Sequence, residues 1–486
     1  IAIVRGGIGE FRAPVPQTLF PSLQSATGAA GAEAQLVCVG PQVPSPQWAG
    51  YYNGTAQPPT ECNPTSVPIF PIDSLGIGAR SAVTTLAPDF EAPRAWRGSL
   101  GISRRVLSNR VNLSLDGTYA RGVALFGVTD LNLKTTPGFT LAYEANRPVY
   151  VPPGAIDPGT GTAAFGASRI YPQYGQVLSL NSNLHSDTRQ LTASASGFTD
   201  HGLIYQLSYT LSRVRDQSSF AGGSAAYGFA SPTTGGNPNV VTFGTSDLQR
   251  EHQIVGTMTY PLTALIEITA VAQVSSGSPY SPLVNGDVNA DGVSRNDRAF
   301  IFDPSNPATD PAVAAAMRTL LNSGSVRIRD CLRSQLSQVA ERNICDGPWT
   351  TSLNWQLNIR PNSWGLDRRL TISIQILNTL TGLDLLFHGP NHLEGWGQPA
   401  APDPTLLTIT GFNPSSLEYR YVVNTHFGKP SSIQAYGQPF QFVLAGRLNV
   451  GASDAAQQLR GLFGGGGREG GGPGGPGGGG GGCLLY

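Results

Sequence analysis

Residues 190–214 read Q-L-T-A-S-A-S-G-F-T-D-H-G-L-I-Y-Q-L-S-Y-T-L-S-R-V. After the turn, alternate positions put Leu203, Tyr205, Leu207, Tyr209 and Leu211 on one face. Ile204, Gln206, Ser208, Thr210 and Ser212 fall on the other. A period of two is the strand period, and T-D-H-G supplies turn residues, so the stretch predicts a β-hairpin. One face is oily; the other is small, polar and nearly uncharged. The fold turns on whether the oily face looks into a protein core or out into lipid.

The same alternation recurs along the chain. Val111, Leu113, Leu115, Gly117 and Tyr119 alternate with Asn112, Ser114, Asp116 and Thr118, and Ile254, Gly256, Met258 and Tyr260 with Val255, Thr257 and Thr259. Ile266, Ile268, Ala270, Ala272 and Val274 follow, then Leu353, Trp355, Leu357 and Ile359. Leu370, Ile372, Ile374 and Ile376 continue the series, and Phe440, Phe442, Leu444, Gly446, Leu448 and Val450 close it. With residues 1–5 and 94–105 added, the pattern predicts about ten strands of ~9–11 residues, the length that crosses a bilayer at a tilt.

The connections decide the solvent. Short turns are expected near 106–110, 198–202, 261–264 and 361–368. Long connections are expected over 6–93, 122–188, 215–249, 276–349 and 378–438. Short and long alternate strictly, which puts every long loop at one end. Outer-membrane barrels have that asymmetry, with short periplasmic turns and long extracellular loops; a soluble sandwich has no reason for it. Tyr119, Phe126, Phe198, Tyr205, Tyr260 and Trp349 lie towards strand ends, where an aromatic girdle is expected. The oily face is therefore read as facing lipid.

Composition agrees. The 486 residues exceed one ordinary soluble core, so a very large sheet or several domains are expected. Charged residues are 13%, about half the usual share. Lys plus Arg and Asp plus Glu are 31 each, which gives no electrostatic case for a nucleic-acid partner. Gly at 61 and Pro at 38 suit an all-β chain with irregular loops. No apolar run reaches the ~18 residues of a transmembrane helix. I-A-I-V-R-G-G opens in mid-strand without a signal peptide, so the chain is expected to be a fragment or processed form of something longer.

Several segments resemble one family: R-G-G-I-G-E-F-R, F-E-A-P-R-A-W-R-G-S-L-G, Q-L-T-A-S-A-S-G, Y-Q-L-S-Y-T-L-S-R-V-R-D, L-Q-R-E-H-Q-I-V-G-T and G-D-V-N-A-D-G-V-S-R-N-D-R-A-F-I-F-D. In order and spacing they resemble the C-terminal barrel half of TonB-dependent outer-membrane receptors of the Oar-like group, over about residues 1–450. The resemblance implies a barrel of roughly 22 strands around an N-terminal plug, of which these would be the last ten. Plug, TonB box and the first barrel strands would then be absent, and ten strands would form a partial or open barrel. It also implies uptake: an unidentified extracellular ligand binds loops and plug, and the TonB complex, acting through the missing plug, drives passage across the outer membrane.

The expected fold is thus all-β: an antiparallel transmembrane β-barrel of about ten strands, residues 1–450, with long extracellular loops and a small helical insertion at about 310–342. Residues 451–486 are expected to form a Gly-rich disordered tail, with Gly464–Gly482 of low complexity. Two other readings stay open: a structural or adhesive outer-membrane surface protein, and a secreted soluble β-rich binding protein. No nucleophile with base and orienting acid, and no phosphate-cradling glycine loop, points to an enzyme.

Asp287 to Asp297, D-V-N-A-D-G-V-S-R-N-D, carries metal chemistry. Asp287, Asn289 and Asp291 stand at positions one, three and five, Gly292 at six, and Val293 at seven offers a carbonyl. This is the opening of an EF-hand-type calcium loop. Arg298 replaces the bidentate Glu at position twelve, and Asp297, one place earlier, is the substitute. The competing reading is an Asx-rich turn held by its own side chains.

Cys38 and Cys62 share the first long loop, and Cys331 and Cys345 the fourth. Local disulfides Cys38–Cys62 and Cys331–Cys345 are the economical assignment in an oxidising setting, though other pairings stay open. Cys483 is odd. P-A-V-A-A-A-M-R-T-L-L and D-C-L-R-S-Q-L-S-Q-V-A have helical spacing, with Asp310 and Asp330 near their starts, and predict a helical hairpin stapled by Cys331–Cys345. His388 and His392 in H-G-P-N-H are read as solvated loop residues, because Pro390 bars a helix that would align them. Trp48, Tyr51, Tyr52, Trp396 and Tyr419 are loop aromatics able to stack on a ligand ring or to pack under their own loops.

Overall fold

The computed structural model describes residues 2–15, 23, 43–57, 63, 83–218, 233–361, 369–390, 392–398, 401–429 and 439–448. Cys38, Cys62, Cys483, most of the 361–368 turn and the Gly-rich tail lie outside these residues. Ten strands follow one another as antiparallel neighbours in chain order. They are β1 (Ala2–Arg12), β2 (Arg94–Val106), β3 (Val111–Asp130), β4 (Val177–Phe198) and β5 (Ile204–Asp216), then β6 (His252–Pro261), β7 (Ile266–Ser275), β8 (Thr350–Ile359), β9 (Leu370–Leu377) and β10 (Gln441–Leu448). Two short segments join them: Val83–Leu86 runs parallel to β4, and Gly244–Thr245 pairs with β5. Among the described residues β1 and β10 each have a single partner strand, so the sheet stays open.

Register turns the sequence alternation into two faces. Ile102, Leu115, Ala193, Tyr209, Ile254 and Val274 are successive cross-strand partners from β2 to β7, and Leu357, Ile374 and Leu444 continue the apolar face from β8 to β10. This face is uncovered: Leu115, Leu207 and Leu444 keep 45%, 53% and 66% of their surface. The other face carries hydroxyl and amide rungs. Ser114 meets Ser194 at 2.6 Å, Thr192 meets Thr210 at 3.0 Å and Thr259 meets Thr269 at 3.1 Å. Ser373 donates to Asn358 at 2.8 Å. Such cross-strand pairs hold register, and a one-residue slip would exchange the faces.

The three short turns among the described residues fall where expected, with Leu107, Ser108 and Asn109 at positive φ in the first. Phe198, Tyr205 and Tyr260 gather at the short-turn end, while Trp349 sits at the other end against His252, ring centroids 5.8 Å apart. Phe126 departs from the girdle reading. β3 and β4 have 20 and 22 residues, far more than a bilayer needs. Within the register shifts at Gly122–Gly127, Phe126 stacks on Phe90 at 5.1 Å, over the fully buried Leu180.

The long connections pack on one another into a lobe with its own core. Val149, Val288, Ile301, Met317, Leu332, Leu406, Leu407 and Phe427 are all 0% exposed. Leu283–Asn285 runs parallel to Thr405–Asn413, which pairs in turn with Glu418–Val423. The lobe holds α1 (Pro311–Ser323) and α2 (Val326–Arg333). Asp310 caps α1 by accepting from the Ala312 and Val313 amides. Helix α2 differs from the sequence reading: it starts at Val326, four residues before Asp330, and stops at Arg333 instead of reaching Ala340. Ser325 caps it, and the following backbone bonds elsewhere, Ser337 N to Ile301 O at 2.8 Å and Ala340 N to Ala299 O at 2.9 Å. The Cys331–Cys345 disulfide forms as expected and ties α2 to the short strand Cys345–Asp346. An unexpected helix, α3 (Thr379–His388), follows β9.

Candidate functional site

The acidic loop lies inside the lobe. Val284 N donates to Asp297 O at 2.9 Å and Arg295 N to Gly286 O at 3.0 Å, closing the loop on itself. Gly292 has φ +84, which glycine alone adopts without strain, as the sixth position of such a loop requires. Asp287 accepts from the Asp291 amide at 3.1 Å and the Gly292 amide at 2.7 Å. Asp291 accepts from Val293 N at 2.7 Å and from the Asn296 and Asn289 side chains at 2.9 and 3.2 Å. Asp297 Oδ2 accepts from Val288 N at 2.6 Å and Asn289 N at 3.3 Å. All five sequence-predicted ligand residues, Asp287, Asn289, Asp291, Val293 and Asp297, thus share one loop. As the loop stands, its own amides hold it, and among the described residues no three His, Cys, Asp or Glu side chains form a ready coordinating group.

The electrostatics are unusual. Asp291 and Asp297 are 1% and 0% exposed, while Asp287 keeps partial access to solvent. Burial lifts Asp287 well above the ordinary carboxylate value, and Asp291 and Asp297 beside it add to the rise. Burial also raises Asp291, against bonds from Asn296, Val293 and Asn289. Asp297 is pushed up to about 7 by burial, with Arg147 pulling it down and Asp291 pushing it further up.

Two buried arginines reach the loop from a distant connection. Arg169 donates to the Asp291 carbonyl and to the Asp130 carboxylate. Arg147 donates to the Arg298 carbonyl at 2.7 Å and stands 3.4 Å from Glu144. Each guanidinium is therefore already paired with a carboxylate outside the loop. Sequence spacing gave no sign of these partners, which lie more than a hundred residues upstream.

A cavity of about 820 Å³ opens elsewhere in the lobe, lined by Tyr143, Glu144, Phe302, Phe412, Tyr419 and Arg420 among others and by no residue of the acidic loop. Tyr421 Oη donates to Glu144 at 2.6 Å, and the Tyr419 hydroxyl is buried without a partner. Of the loop aromatics, Tyr419 is thus in the cavity wall, while Trp48 and Tyr52 are 63% and 87% exposed. His388 is not a solvated loop residue: it ends α3 and bonds Asp384 at 2.8 Å. Asp384 in turn accepts from the Glu394, Gly395 and Trp396 amides, fixing the turn after Pro390. His392 is exposed, as expected.

A family model described as an outer membrane beta barrel domain matches residues 2–379. Among solved structures the chain is similar to the outer membrane transporter YddB from Escherichia coli, at 9% identity over 62% of this chain and 30% of that one, TM-score 0.35. It is also similar to the ferric-catecholate import receptor Fiu from E. coli K12, at 10% identity over 92% and 32%, TM-score 0.31. A third is the pyoverdine outer membrane receptor FpvA from Pseudomonas aeruginosa PAO1, at 12% identity over 74% and 30%, TM-score 0.31. The chain spans about a third of the length of these structures, and scores this low add nothing to the family match. No curated protein matches it.

Proposed function

Since the chain belongs to the outer-membrane β-barrel domain family, we propose that it is part of the wall and the external lobe of a TonB-dependent receptor of the Oar-like group. It resides in the outer membrane of a Gram-negative bacterium, which sets aside the secreted soluble reading. The observation that carries the proposal is the one-sided architecture: tight turns at one end, and at the other long connections that fold into a lobe with a cavity. A purely structural barrel has no need of such a lobe, whereas a receptor meets its ligand there.

In this reading the lobe faces the cell exterior and the hydroxyl-lined face looks into the lumen. The cavity by Tyr419, with aromatic walls and the Glu144 and Arg420 charges, is the first contact for a small polar ligand with ring faces. Plug and TonB box would come from a segment outside this chain. The test is retention of the detergent-solubilised natural full-length protein on the immobilised periplasmic domain of TonB from the same bacterium. Retention of heat-modifiable, folded barrel supports the reading. Folded barrel that passes through unretained overturns it and leaves a structural or adhesive surface role.

A further inference from the structure

The lobe contains a cluster of carboxylates whose charge its own arginines offset only in part. Asp287, Asp291 and Asp297 sit together in one closed loop, and the guanidinium groups of Arg147 and Arg169 that approach it are each paired with Glu144 or Asp130. Buried carboxylates held this way are costly unless a cation offsets them. A second observation concerns unpartnered oxygens, one of them on Asn296, outside the carboxylate cluster. Asp297 Oδ1 is fully buried and accepts no hydrogen bond, although Oδ2 of the same carboxylate accepts from two amides of the loop. The side-chain oxygen of Asn296, 3% exposed, is likewise without a partner, while its amide nitrogen is fixed on Asp291. Two buried oxygens on adjacent residues of the loop therefore receive no hydrogen bond.

From these oxygens we propose that the loop Asp287–Asp297 binds one calcium ion, which fastens the loop to the lobe core. The donors are all oxygen, the hard ligand type that calcium takes in sixes to eights. They are the carboxylates of Asp287, Asp291 and Asp297, the Asn289 and Asn296 side-chain oxygens, and the Val293 carbonyl. The amide bonds now made to these groups leave lone pairs for the ion except at Asp291 Oδ2 and Asp297 Oδ2, which each accept two. A carboxylate oxygen has two lone pairs, and Asp287 Oδ1 and Oδ2 and Asp291 Oδ1 each accept one bond. Asp287, the accessible member, marks the side from which the ion arrives. The loop reaches widely: Tyr150 N donates to Asn289 O at 2.8 Å, Asn289 donates to Gly236 O at 2.8 Å, and Arg169 holds the Asp291 carbonyl. The ion thus locks together the connections after β3, β5 and β7. The inference holds for the lobe whether or not TonB drives transport.

The test uses the natural full-length protein folded in detergent, stripped with chelator, with calcium chloride as probe and potassium chloride at matched ionic strength as control. Calcium should raise the lobe's unfolding midpoint by roughly 3–6 °C at ~10 mM, half-saturating near ~1 mM, the range of weak extracellular sites. Terbium should give calcium-displaceable luminescence excited through Tyr150. D297N separates an ion site from a merely structural carboxylate: in chelator it should be as stable as the wild type or more so, because repulsion is relieved, and it should lose the calcium response. An unchanged wild-type midpoint, an equal response to potassium chloride, or a D297N variant that responds like the wild type would overturn the proposal.

Discussion

In the ten-strand sheet, Leu115, Leu207 and Leu444 keep 45% to 66% of their surface exposed, and hydroxyl pairs form rungs on the opposite face. In the lobe, Leu332, Leu406 and Leu407 keep none. The same residue type is turned out in one half of the chain and in within the other. The hydrophobic effect in water rewards only the second arrangement. The first is stable when the solvent is hydrocarbon, where backbone groups must all be paired and side chains need not hide. Two solvents thus act on one chain, and the boundary between them runs across the upper parts of β3 and β4.

That contrast can be broken most forcefully at the junction. Arg342 of the lobe donates to the Asp216 carboxylate at 2.6 Å and to its carbonyl at 2.8 Å, at the end of β5, with both side chains buried. Arg342→Met takes the guanidinium from a buried carboxylate and should cost about 3–5 kcal/mol, read by chemical denaturation. Arg342→Met with Asp216→Leu should recover part of it. Next, Leu407→Ala should destabilise the lobe by about 2–5 kcal/mol, while Leu207→Ala should leave the lobe's midpoint unmoved. Reversing the solvent argument, Leu207→Arg should cost about 2–4 kcal/mol in folding into lipid vesicles if the residue lies near the bilayer centre. The same change on a water-facing strand would be nearly silent.

A smaller effect comes from pH. Burial works against the Asp384 charge, but bonds from Glu394, His388, Trp396 and Gly395 outweigh it and hold its pKa below the ordinary value. A lowered carboxylate contributes stability above its unfolded pKa and loses it as pH falls through the folded one. Protection of the Glu394–Trp396 amides from hydrogen exchange should therefore fall on acidification below ~4, and Asp384→Asn should flatten that dependence. Smallest of all, Arg110–Asp200, exposed on both sides at 48% and 68%, should contribute at most about 1 kcal/mol.

The strands were legible because period two and turn residues are local. All ten appear at the alternating runs, with three short turns described between them, although β1, β3 and β4 run on into stretches expected as the connections 6–93 and 122–188. The lobe was much less legible. Leu406 and Leu407 belong to no alternating run, and their burial depends on strand Leu283–Asn285 over a hundred residues earlier. Helix α3 was missed because Pro390 and the two histidines drew the reading to a loop, although T-L-T-G-L-D-L-L-F-H ends before that proline. Only the calcium-like spacing could be seen from sequence at the site. Arg147 and Arg169 joined it through tertiary packing alone, whereas Asn296 stood within the quoted loop without being read as a donor.

The length of the β3–β4 pair has a mechanical meaning. At about 3.3 Å per residue, the 22 residues of β4 extend roughly 70 Å, well beyond a bilayer's ~40–45 Å even when tilted. The surplus is a stiff, hydrogen-bonded mast, and its residue count sets how far the lobe stands above the headgroups. Inserting two residues into each strand beyond Gly122 would lengthen the mast by about 7 Å and preserve the faces. Inserting one in each would turn the side chains beyond it to opposite faces.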